Sequence, residues 1–91
     1  MRVRAHLFVT GQVQGVFFRS ETRRKAIKLN VTGWVKNLKD GRVEALLEGN
    51  EEGVDALIDF CRRGPSGGRV VDTKIAFERY RGEFKDFRIV W

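Results

Sequence analysis

Between Gly33 and Glu48 the chain has to turn back on itself. Gly33-Trp34-Val35-Lys36-Asn37-Leu38 and Arg42-Val43-Glu44-Ala45-Leu46-Leu47-Glu48 are strand-like runs, with Lys39-Asp40-Gly41 between them. Asp40 and Gly41 tolerate the positive φ that tight hairpin turns demand, so the two runs predict an antiparallel hairpin. Any fold for the chain must therefore place one group of elements before this hairpin and another after it.

Each flank supplies a strand and a helix. Residues 3–10 alternate, with Val3, Ala5, Leu7 and Val9 against Arg4, His6, Phe8 and Thr10, the period of a half-buried strand. Thr22, Ala26 and Leu29, with Ile27 beside them, recur at helical spacing. They predict a helix over roughly 20–30, with Ser20 as N-cap, Glu21 in the first turn and Asn30 in the left-handed position beyond it. After the hairpin, Asn50 reads as the cap of a second helix, Glu51 and Glu52 lie at its positive end, and Val54, Leu57, Ile58 and Cys61 form its apolar stripe. Gly64-Pro65 stops that helix. A strand over 69–80 and a short final strand over 84–91 complete the pattern. The order predicts an α+β fold, the ferredoxin-like βαββαβ sandwich. Its sheet is mostly antiparallel, with two helices on one face and a short extra C-terminal strand. At 91 residues it is expected to be a single domain over 1–91.

Composition narrows the function classes. One cysteine, Cys61, excludes an internal disulfide and fits a reducing cytoplasm. A single His with a single Cys cannot assemble a His/Cys metal site, so neither metal nor cofactor is expected. No apolar run approaches the length of a membrane span. The net charge of +6 is concentrated at one end. Residues 1–30 carry seven Lys/Arg against Glu21 alone, whereas residues 31–91 carry eleven of each sign. That asymmetry points to a negatively charged ligand near the N-terminal elements, or simply to a solvated helix face.

The segment Gly11-Gln12-Val13-Gln14-Gly15-Val16-Phe17-Phe18-Arg19 joins the first strand to the first helix. A loop entering a helix presents unpaired backbone N–H groups where the helix dipole is positive. Gly15 lets the backbone approach a ligand, and Arg19 adds a charged fork matched to phosphate or carboxylate. The combination is a one-phosphate cradle without the Gly-Lys-Ser/Thr ending of a P-loop; a Gly-rich turn beside a surface arginine fits the same spacing. Asn37, near the end of the second strand, should lie at the same sheet edge, because the first and second strands run parallel in one crossover unit. Its amide can hold and orient a water, though it can equally just open the hairpin.

These two segments together resemble the signatures of the acylphosphatases, and the Gly64-Pro65 loop resembles that family as well. The similarity runs through essentially the whole chain, with Asn30 standing where the family often has glycine. The resemblance implies hydrolysis of a carboxyl-phosphate anhydride to carboxylate and inorganic phosphate. It implies that Gln14, Gly15, Val16, Phe17, Phe18 and Arg19 bind the phosphate and that Asn37 positions the attacking water. The expected partner is then a small acyl phosphate, for a protein that is a monomer or weak homo-oligomer. The rival readings are a basic nucleic-acid-binding module, with Phe8, Phe17 and Phe18 stacking bases, and an anion-binding module without turnover. Against the first, Glu44 and Glu48 occupy the strand where an RNA-binding signature would fall. His6 reads as structural or solvent-facing, Cys61 as a core residue, and Trp34 and Trp91 as packing residues.

Overall fold

In the computed structural model, which describes all residues 1–91, the elements run β1 (Arg2–Gln12), α1 (Phe18–Lys28), β2 (Thr32–Asn37), β3 (Val43–Asn50), α2 (Glu51–Arg63), β4 (Arg69–Glu78) and β5 (Phe87–Val90). The strands form one sheet in the order β4-β1-β3-β2-β5. The β1–β3, β1–β4 and β2–β3 ladders are antiparallel, and β5 joins β2 in parallel. β3 thus separates β1 from β2, which still run in the same direction. Ala5, Leu7 and Val9 of β1, Val35 of β2 and Val43, Ala45 and Leu47 of β3 form one face of the core. Phe18 and Ala26 of α1 and Val54, Leu57, Ile58 and Cys61 of α2 close over them. The expected α+β sandwich is present, with its extra short strand.

Several boundaries differ, each for a physical reason. β1 does not end at Thr10: a bulge between Thr10 and Gly11 lets the strand continue to Gln12 beside Arg69 and Val70. Gly11 permits this because a Cβ there would collide with the Arg69 carbonyl. The hairpin connection is residues 38–42, closed by the Leu38 N–H donating to the Arg42 carbonyl at 2.8 Å, and within it only Gly41 has positive φ, at 95°. Asp40 contributes differently, accepting from the Arg42 N–H and the Arg42 guanidinium; the N–H is the larger of the influences that hold its carboxyl below the usual range. Asn50 does occupy the N-cap of α2, but its side chain caps nothing. Ile27 lies mostly in solvent rather than on the α1 stripe.

The last strand is shorter than the pattern predicts. β4 also ends early, at Glu78, and beyond it the N–H groups of Arg81, Gly82 and Glu83 donate to the Glu48 carboxylate. The segment before β5 is therefore a loop folded over the helix-free face of the sheet. Beneath it Arg4, directly opposite Glu48 in the β1–β3 register, pairs with Glu48, Glu78 and Glu83. His6 lies on this same face, 2.6 Å from Glu44. Burial pushes the Glu48 carboxyl up, but the Arg81 N–H, the Arg4 guanidinium and the N–H groups of Glu83 and Gly82 outweigh it and hold the carboxyl below its ordinary value.

A carboxyl depressed in the folded state contributes stability that is complete above its unfolded value, about 4.3. That contribution is lost as pH falls through the folded value. Replacing Glu48 by Gln removes the most buried of the three carboxylates paired with Arg4 and is expected to cost roughly 1–3 kcal/mol at neutral pH. The variant's stability will also fall less steeply in acid than the wild type's. Urea unfolding at pH 7 and pH 3.5 measures both; equal stability at pH 7 would show that the latch contributes nothing.

Candidate active site

The loop 13–17 between β1 and α1 is shaped by two residues in left-handed conformation. Gly15 has φ 75° and Phe17 φ 61°. A Cβ at Gly15 would meet no atom of the protein, so the constraint there is the backbone angle and not space. Phe17 is a bulky residue at positive φ, a conformation that costs on the order of 1–3 kcal/mol and concentrates at functional sites. Its neighbour Phe18 is the anchor: 1% exposed, it seats the start of α1 in the core while the Phe17 ring stays in solvent.

This geometry places the N-cap three residues ahead of the expected one. Phe17, not Ser20, is the N-cap, and no side chain caps the helix. Ser20 lies inside the first turn, and its hydroxyl donates back to the Phe17 carbonyl at 3.1 Å. The first helical hydrogen bond runs from the Glu21 N–H to the Phe17 carbonyl, 2.9 Å. The N–H groups of Gly15, Val16, Phe17, Phe18 and Arg19 donate to no backbone carbonyl. An uncapped first turn with these free donors, preceded by left-handed residues, is the geometry of an anion-binding nest.

The Gln14 side chain makes a contact that the sequence did not show. Its side-chain amide donates to the carbonyls of Leu38 and Arg42, at 2.8 and 2.9 Å. The loop is thereby tied to the base of the hairpin, beside Asn37. Strand parity puts the Asn37 side chain on the helix-covered face, since Asn37 pairs with Val43 and Val43 with Val9, both in the core. Its Oδ1 is buried and has no hydrogen-bond donor within the protein.

Gly15, Phe17, Phe18, Arg19 and Asn37 line one cavity of about 320 Å³, with Val13, Ser20, Ile89 and Trp91 completing it. Of the residues expected to touch phosphate, Gln14 and Val16 are not in its lining. Sequence reasoning missed Ser20 as a lining residue, and it took Trp91 for a packing residue. The Trp91 side chain is almost fully exposed, and its ring covers the Arg19 guanidinium at 4.3 Å. Arg19 forms no ion pair and no hydrogen bond within the chain.

Other reactive groups lie elsewhere. Cys61 is buried on α2, where desolvation, opposed only by the Thr22 hydroxyl, pushes its thiol up to about 12, so it stays protonated at neutral pH. His6 is on the opposite sheet face. No three His, Cys, Asp or Glu side chains converge as a metal site would require. No helix is long and apolar enough to cross a membrane.

On this α+β sandwich an uncapped helix start, an arginine without an ion pair and a buried, unpartnered amide oxygen thus share one cavity. The acylphosphatase family model matches residues 5–89. An acylphosphatase of Syntrophus aciditrophicus is 53% identical over 91 residues, covering all of this chain and 95% of that protein. One from Pelotomaculum thermopropionicum is 47% identical over 99% of this chain and 98% of its own length. The crystal structure of acylphosphatase from Bacillus subtilis superposes with a TM-score of 0.93 at 35% identity, covering 98% of this chain and 99% of that one. The chain belongs to the acylphosphatase family of enzymes.

The Gln14 tie generates a prediction. Gln14→Ala frees the loop from the hairpin without touching the cavity, and a displacement of about 1 Å can cost on the order of 10²-fold in kcat. Steady-state kinetics on an acyl phosphate, with circular dichroism as the folding control, measures it. Unchanged kcat in the folded variant would mean that the loop holds its shape unaided.

Proposed function

We propose that this chain hydrolyses acyl phosphates to a carboxylate and inorganic phosphate, with the phosphate held by the loop N–H groups and Arg19 and the attacking water held by Asn37. One observation carries the reading: the buried, unpartnered Oδ1 of Asn37 shares a cavity with Arg19 and the uncapped start of α1. Membership of the acylphosphatase family supports the substrate class.

The phosphate oxygens accept from the free N–H groups and from the Arg19 fork, which together offset the charge that grows in the transition state. Asn37 Oδ1 accepts a hydrogen bond from water and aims the water's lone pair at phosphorus. The water oxygen bonds to phosphorus, the bond from phosphorus to the acyl oxygen breaks, and the carboxylate leaves. A carboxylate is a weak base, with a conjugate acid near ~4, so it needs no protonation to depart. The water proton passes to an oxygen of the substrate phosphate, since no His, Asp or Glu lines the cavity. The chemistry is positioning and charge stabilisation, which suits phosphoryl transfer to a good leaving group.

The two side chains are expected to separate kinetically. Asn37→Ala will lower kcat by on the order of 10²–10³-fold, with the Ki for inorganic phosphate nearly unchanged. Arg19→Ala will lose turnover and phosphate affinity together, and Arg19→Lys will restore binding only in part, because a point charge lacks the two-pronged fork. Loss of phosphate binding in Asn37→Ala equal to that in Arg19→Ala would remove the water-holding role.

Two properties of the wild type follow from the same site. Turnover will persist in excess EDTA, and inorganic phosphate will inhibit competitively, because product and substrate share the group the cradle recognises. Phosphate release from acetyl phosphate, with and without EDTA and across phosphate concentrations, measures both. Activity abolished by EDTA and restored by Mg²⁺ would overturn the mechanism.

A further inference from the structure

Arg19 lies against a surface that takes none of its hydrogen-bonding capacity. Its guanidinium lies 4.3 Å from the Trp91 ring centroid and touches no carboxylate of the chain. The placement follows from the sheet. β5 runs parallel to β2 with Val90 opposite Lys36, so the next residue, Trp91, comes level with Asn37. Alternation puts it on the side of Phe87 and Ile89, the helix-covered side, where α1 carries Arg19 across the cavity.

The alternatives show what the ring achieves. A carboxylate would orient a guanidinium strongly, but it would occupy the N–H donors and cancel the charge that phosphate needs. Free in solvent, the fork would sample many rotamers and lose that entropy on binding. An aromatic face attracts the cation through its quadrupole while the five N–H groups, all in the guanidinium plane, stay available. That an indole 93% exposed to solvent sits over this one cation has no explanation in core packing.

We propose that Trp91 is a positioning residue for Arg19, holding the fork in its phosphate-binding orientation without neutralising it. The inference rests on the phosphate-binding role of Arg19 proposed above. It assigns Trp91 no contact with the reacting atoms.

The experiment compares Trp91→Leu and Trp91→Phe with the wild type by kcat and KM on acetyl phosphate, Ki for inorganic phosphate, and thermal midpoint. Trp91→Leu keeps an apolar side chain and loses the π face, so Ki is expected to rise about three- to tenfold. KM will rise with Ki more than kcat falls, and Trp91→Phe will recover part of the loss. The thermal midpoint will stay within experimental scatter, because the side chain is exposed. A Ki in Trp91→Leu equal to the wild type's overturns the proposal. So does equal impairment of Leu and Phe variants, which would make bulk rather than the ring face responsible. If the wild type neither binds phosphate nor hydrolyses acetyl phosphate, the reading of the cradle fails instead.

Discussion

The ladder between β1 and β3 fixes everything that the site requires. It pairs the two strands from Arg2 opposite Asn50 to Val9 opposite Val43. Because side chains alternate, a slip of one residue would send Ala5, Leu7 and Val9 to the solvent face and Arg4, His6 and Phe8 into the core. The opposition of Arg4 and Glu48 adds a specific lock, since a slipped register would bury each charge without the other. β3 passes the same parity to β2, and that parity turns Asn37 toward the helices. The end of β1 and the end of β2 then meet at one corner of the sandwich, although no hydrogen bond joins the two strands.

At that corner the protein leaves undone what a helix normally completes. The start of α1 has no side-chain cap, and its first turn instead borders the cavity, reached through a strained Phe17. The conformation persists because neighbours over-determine it: Phe18 is locked in the core on one side, and Gln14 is bound to the hairpin carbonyls on the other. A Ser, Asp or Asn at the cap would satisfy donors locally and stabilise the helix by roughly 0.5–2 kcal/mol, while removing donors that an anion could use.

Local chemistry was legible in the sequence, and long-range partnership was not. The period of two in 3–10, the stripe Val54-Leu57-Ile58-Cys61 and the Asp-Gly turn each report a face or a bend that a few neighbouring residues determine, and each has its place in the structure. Arg19 and Asn37 were legible as one corner because the crossover rule orients β1 and β2 alike. Ser20 misled because it looks like a cap in isolation; the real start of α1 is set by the burial of Phe18. The loop between β4 and β5 is held by Glu48, more than thirty residues before the N–H groups it collects. The side-chain contacts of Gln14 and Trp91 were illegible for the same reason. These contacts, with the hairpin carbonyls and with Arg19, lie across the sheet and leave no local pattern.

The charge segregation along the chain also changes meaning once folded. Seven of the basic residues fall before residue 31, yet Arg4, one of them, is surrounded by Glu48, Glu78 and Glu83 from the later, neutral portion. Two arginines of the same chain thus receive opposite treatment on opposite faces of one sheet. Arg4 is buried and must be compensated, because an unpaired charge out of water is costly. Arg19 is half-exposed and lines the cavity, so solvent can carry its charge. The positive charge of Arg4 is thus cancelled beneath the loop before β5, whereas that of Arg19 meets no carboxylate of the chain.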